Sequence, residues 1–118
     1  MLRRLALAAS LALALAGPAA AQRAGLYSLS GTNPDGSAYE GVVALQQVGL
    51  VSWRVVWDIQ GDRIEGIGMS NGNIFAVTYQ INNRPGIGIF SVEADGSMSG
   101  QWTIIGSGGI GTETLRPR

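Results

Sequence analysis

Residues 51–59 read Val51-Ser52-Trp53-Arg54-Val55-Val56-Trp57-Asp58-Ile59. Val51, Trp53, Val55, Trp57 and Ile59 share one phase of a two-residue repeat, and Ser52, Arg54, Val56 and Asp58 share the other. Side chains alternate across a strand, so this spacing sends the first set to a core and the second to solvent. β-branched and aromatic residues fill the inward phase, as a half-buried strand favours. The alternation recurs on both sides. Tyr39, Gly41, Val43 and Leu45 alternate with Glu40, Val42, Ala44 and Gln46. Phe75, Val77 and Tyr79 alternate with Ile74, Ala76 and Thr78, and Met98, Gly100, Trp102 and Ile104 with Ser99, Gln101, Thr103 and Ile105. Segments 26–30, 64–70, 87–93 and 110–116 are less regular but have strand length.

Turn signals separate these eight segments. They are Asn33-Pro34-Asp35-Gly36, Gln47-Val48-Gly49, Gln60-Gly61-Asp62, Asn71-Gly72-Asn73, Asn82-Asn83-Arg84-Pro85-Gly86, Asp95-Gly96-Ser97 and Gly106-Ser107-Gly108-Gly109. Glycine supplies positive φ there, and Asn-Gly and Asp-Gly are strong hairpin dipeptides. A faint repeat, G-x-x-(Y/I)-E-G, links residues 36–41 to 61–66, with a near match at 96–100. It reads as a hairpin module: a turn glycine, an apolar residue inward, a polar residue outward, then a glycine where the strand bends. Eight short strands joined this tightly predict an all-β antiparallel meander. Two architectures suit it, an up-and-down barrel and a two-sheet sandwich. The barrel is favoured because it abolishes free edges and because Gly41, Gly66, Gly68, Gly88 and Gly100 permit sharp coiling.

Residues 1–21 have a different character. Arg3 and Arg4 precede a Leu/Ala-rich run over 5–16, then Gly17-Pro18 and Ala19-Ala20-Ala21 before Gln22. A basic start, an apolar stretch of about a dozen residues and a small-residue cleavage site predict a cleaved secretory signal. The protein is therefore expected in the periplasm or secreted, as a single domain over 22–118. No further apolar run of spanning length follows. The 118-residue chain is formally neutral, but Arg3 and Arg4 leave with the signal, so 22–118 carries a net charge of −2. That balance argues against nucleic-acid binding, which needs a basic face. There is no His and no Cys, and all eight basic residues are Arg, so there is no Lys. Those absences remove the imidazole base, the thiol nucleophile, the disulfide, the lysine Schiff base and most metal sites. No enzyme activity and no cofactor is expected.

The stretch from Tyr27 to Gly41, with Trp57-Asp-Ile59-Gln-Gly61, Gly66-Ile-Gly68, Gly100-Gln-Trp102 and Gly111-Thr-Glu-Thr-Leu115, resembles a group of small exported bacterial proteins. The resemblance spans nearly all of 22–118. Some of that group are labelled "fibronectin-binding protein", which implies an adhesin. The strand count also resembles avidin and lipocalin barrels in architecture. Lipocalins carry G-x-W in their first strand, whereas Gly100-Gln101-Trp102 lies in the seventh segment here.

Candidate binding residues are Tyr39, Trp53, Trp57 and Trp102, from an aromatic set that also holds Tyr27, Phe75, Tyr79 and Phe90. Inside a barrel these rings either surround a small apolar or sugar ligand or simply fill the lumen, and filling is the expectation for strands this short. Arg84, in the longest polar connection apart from the Gly106–Gly109 segment, is the best anchor for an extracellular or envelope protein partner. Glu40, Glu65 and Glu113 lie within strands, where acids alternating with apolar residues normally face water. Glu113 is expected to pair with Arg54 or Arg63, and a hydrolase built on Glu40 and Glu65 is a remote alternative. Asp35 and Asp95 lack the spaced acids of a calcium loop, so no metal is expected.

Overall fold

The computed structural model describes residues 22–118. The secretory-signal reading falls on 1–21, outside the described residues. Eight strands follow one another: β1 (Gly25–Thr32), β2 (Ala38–Gln47), β3 (Ser52–Ile59), β4 (Asp62–Asn71), β5 (Ile74–Ile81), β6 (Arg84–Val92), β7 (Met98–Ile104) and β8 (Gly111–Pro117). Each pairs antiparallel with the next, and β8 pairs with β1, closing a barrel in meander order. The sandwich is thereby excluded. Among residues 22–118 no helix is long and apolar enough to cross a membrane.

The hairpin module has the form its spacing predicts. Gly36, Gly61 and Gly96 have φ of 89°, 88° and 87°, a region costly for residues with a Cβ. Tyr39 and Met98 are buried and Ile64 half-buried, while Glu40, Glu65 and Ser99 face solvent. Asp35 and Asp95 have the same local task. Each carboxylate accepts hydrogen bonds from the backbone N–H and hydroxyl of the serine two residues on, Ser37 or Ser97. Those hydroxyls and N–H groups hold both carboxyls below the ordinary aspartate range. The turn Asp-Gly pairs thus need no ion to explain them.

One connection is shorter than the sequence implied. Asn82 and Asn83 alone make the β5–β6 turn, both at positive φ, and Arg84, Pro85 and Gly86 already belong to β6. Asparagine tolerates that conformation, so two residues suffice for a hairpin of the hand that suits twisted strands.

The barrel is packed differently at its two ends. At the end holding the β2–β3, β4–β5 and β6–β7 connections, Tyr27, Leu45, Trp53, Phe75, Val92, Met98 and Leu115 are buried together. The opposite end carries the β1–β2, β3–β4, β5–β6 and β7–β8 connections and is open. Glycine dominates the inward face of β4 and β6. Their segments Gly66-Ile67-Gly68 and Gly86-Ile87-Gly88-Ile89 turn glycine inward and isoleucine outward, with Ile67 and Ile87 64% and 61% exposed. The large β5 side chains between them lie over those glycines. A Cβ on Gly68 would strike the Phe75 ring, and one on Gly86 the Tyr79 ring.

Candidate functional site

A cavity of about 240 Å³ occupies the open half of the barrel. The expectation that side chains fill the whole lumen holds for the opposite half only. Asn33, Gln60 and Asp62 stand at the mouth, and Ile59, Ile64, Val77, Ile81 and Phe90 form an apolar wall. Two aromatic pairs stand in the cavity lining. Tyr39 and Trp102 meet edge to face with centroids 6.4 Å apart, and Trp57 and Tyr79 do so at 5.3 Å. Such T-shaped contacts match the positive edge of one ring to the negative face of the other.

Glu113 is the charged group of this cavity that sequence reasoning misplaced. It is only 8% exposed and faces the lumen. Glu113 lies in phase with Gly111 and Leu115 on β8, and Leu115 is core, so the alternation places the carboxylate inside. Its cross-strand neighbours are Gly31 on β1 and Gly100 on β7, which leave its side chain unobstructed. The predicted partners lie elsewhere. Arg63 pairs with Glu65 at 2.8 Å on the outer surface, with both side chains well exposed. Such a pair contributes about 1 kcal/mol at most.

Glu113 instead ends a buried hydrogen-bond chain. The Trp102 indole N–H donates to the Tyr39 hydroxyl at 2.8 Å, and that hydroxyl donates to Glu113 Oε1 at 2.8 Å. Burial pushes the Glu113 carboxyl up to about 7, and the Tyr39 hydroxyl and Trp57 indole offset this only in part. Burial, with the neighbouring Glu113 charge second, drives Tyr39 and Tyr79 well above the ordinary phenol range. Both phenols therefore stay protonated across physiological pH.

The proposed binding residues separate into two groups. Tyr39, Trp57 and Trp102 come together around the cavity. Trp53 does not join them. It lies in the packed half, edge-on to Phe75 at 6.1 Å, with its indole N–H donating to Ser70 Oγ at 3.1 Å. Arg84 stands at the mouth end but outside the cavity lining, where its guanidinium donates to the Ile105 carbonyl at 2.6 Å. It straps the β5–β6 hairpin to the β7–β8 loop. Glu40 and Glu65 point outward, away from the lumen. Among the described residues no group of three metal-ligating side chains is present.

Fold and site together define a closed eight-stranded antiparallel barrel with an aromatic end cavity. No family model and no curated protein matches the sequence. Solved structures do resemble it. A de novo designed fluorescence-activating β-barrel superposes with a TM-score of 0.64 at 18% identity, covering 86% of this chain and 98% of the design. A redesigned barrel, mFAP1, bound to DFHBI, gives 0.61 at 21% identity, over 79% of this chain and 93% of its own. Another redesign, b11L5F_LGL, gives 0.65 at 20% identity, over 80% and 90%. At these identities the likeness is one of fold.

Proposed function

We propose that this protein is an exported, non-catalytic barrel that binds a small molecule in its open half. The observation that carries the reading is the 240 Å³ cavity, lined by Tyr39, Trp57, Tyr79, Phe90 and Trp102 around the buried Glu113. Apolar pockets with a few converging polar groups are the usual form of small-ligand sites. That a designed barrel of this fold is seen bound to DFHBI supports the reading at the level of architecture. Export is inferred from the secretory signal read in residues 1–21, which would direct the chain to the periplasm or outside the cell.

Native mass spectrometry of the full-length gene product, recovered from the periplasm, tests the proposal. The expected spectrum contains the 22–118 mass and a heavier species that retains a small molecule. A single apo mass, with no binding of an apolar dye, overturns the pocket reading. It would leave the protein acting through its outer surface, as an adhesin would.

A further inference from the structure

We propose that the cavity selects an organic cation, an ammonium group on a small apolar or aromatic body, held against Glu113 between the Tyr39–Trp102 and Trp57–Tyr79 pairs. This inference rests on the ligand-binding reading above and specifies its ligand class.

Charge balance is the first argument. Glu113 is buried, and none of the residues lining the cavity is basic. Arg63 is spent on Glu65 outside, and Arg84 on the Ile105 carbonyl. A buried carboxylate is costly to keep charged, and a cation entering beside it offsets that cost while leaving the group ionised. Asp62 at the mouth adds a second acid on the entry route. An anionic ligand would meet both carboxylates.

Ring chemistry is the second argument. Tyr39, Trp57, Tyr79 and Trp102 stand around the same space as Glu113. Aromatic faces are electron-rich and attract ammonium groups, most strongly where water is excluded. The Trp102 N–H is already committed to Tyr39, and the Tyr39 hydroxyl to Glu113. Tyr39 and the Trp57 indole supply the carboxylate with two donors, and its two oxygens can still accept from a ligand N–H. The volume suits one substituted ring rather than a lipid chain or an oligosaccharide.

The groups facing Glu113 fix the expected pH dependence. Tyr39 on β2 and Tyr79 on β5 stay neutral, Trp57 on β3 and Trp102 on β7 do not titrate, and Asp62 on β4 stands at the mouth. The β1 and β7 residues opposite Glu113 are glycines. A cation prefers the ionised carboxylate, so its affinity rises with pH as Glu113 loses its proton.

The test is isothermal titration of the purified protein with benzyltrimethylammonium, benzyl alcohol and benzoate at about pH 5 and about pH 8. The cation should bind at least about tenfold more tightly than the alcohol at the higher pH, a preference in the range of desolvated cation–π contacts. Its affinity should weaken at the lower pH, and benzoate should not bind at about pH 8. Glu113→Gln should lose the cation preference while keeping benzyl alcohol binding, with a circular dichroism melt verifying its fold. Should the variant not fold, the pH series on the unaltered protein decides alone. Equal or tighter binding of alcohol or benzoate, or cation affinity that falls with rising pH, overturns the inference. A retained native ligand without a cationic nitrogen also overturns it, yet leaves the ligand-binding reading standing. If no probe binds and the native spectrum is bare, both fall together.

Discussion

Glu113 shows how one side chain sets conditions on the rest of the molecule. Its carboxyl titrates near 7 when folded, above the ordinary 4.5. Between those values the folded state holds a proton that the unfolded state has released, so stability must fall as pH rises through this window. The loss is about 3 kcal/mol, complete above the folded-state value. Thermal melts at about pH 5 and about pH 8 should show the unaltered protein melting lower at the higher pH. Glu113→Gln should melt at nearly the same temperature at both, since its amide oxygen still accepts from Tyr39 and carries no charge. Tyr39→Phe removes the acceptor for Trp102 and the donor to Glu113. It should cost about 1–3 kcal/mol in urea unfolding, the usual penalty for stranded buried polar groups. It should also raise the Glu113 titration further, by removing a bond that favours the charged form. The lumen position of Glu113 was legible in principle, from its phase with Leu115. A glutamate between two threonines reads as solvent-facing unless the strand is known to close a barrel.

At the scale of elements, the turns and the four alternating strands were readable because their chemistry is local. Asn, Asp and Gly at fixed offsets determine a hairpin without reference to the rest of the chain. β4 and β6 were harder to read. Ile67, Ile87 and Ile89 suggest an inward face, yet they point outward and the glycines beside them point inward. What decides this is the neighbouring strand, since Tyr79 and Phe75 on β5 need the room. Trp53 and Trp57, four residues apart on one strand face, went to opposite halves of the lumen for a related reason: periodicity gives the face of a residue but not its depth. Adjacent substitutions should expose the inversion. A Cβ at Gly66 would press on the Thr78 backbone carbonyl, which cannot move aside. Gly66→Ala should destabilise by about 1–3 kcal/mol, as overpacking does. Ile67→Thr, at an exposed site, should stay within about 0.5 kcal/mol. Urea unfolding of the two variants compares them directly. The β7–β8 loop depends on Arg84 in a gentler way. Arg84→Ala should speed amide exchange across residues 105–109 while leaving the melting temperature almost unchanged.

At the scale of the whole molecule, closure protects the sheet edges of a chain without disulfides. The β1–β8 ladder runs from Tyr27↔Pro117 to Thr32↔Thr112 and leaves no strand edge unpaired among the described residues. A chain cut before β8 would present two bare edges, on β1 and β7, and exposed edges recruit other strands. Size-exclusion chromatography of a chain ending at Gly109 should therefore show large assemblies, where the full chain gives a single species. The same ladder carries a geometric consequence. The Arg118 backbone N–H donates to the Leu26 carbonyl, and its guanidinium donates to Ser28 Oγ. Both ends of the described chain thus lie side by side at the packed end, opposite the cavity mouth. A tether, fusion partner or solid support attached at either end would hold the barrel upright with its opening outward. The chain is already laid out as a display scaffold, and it can be re-cut or immobilised there without obstructing the route into the lumen.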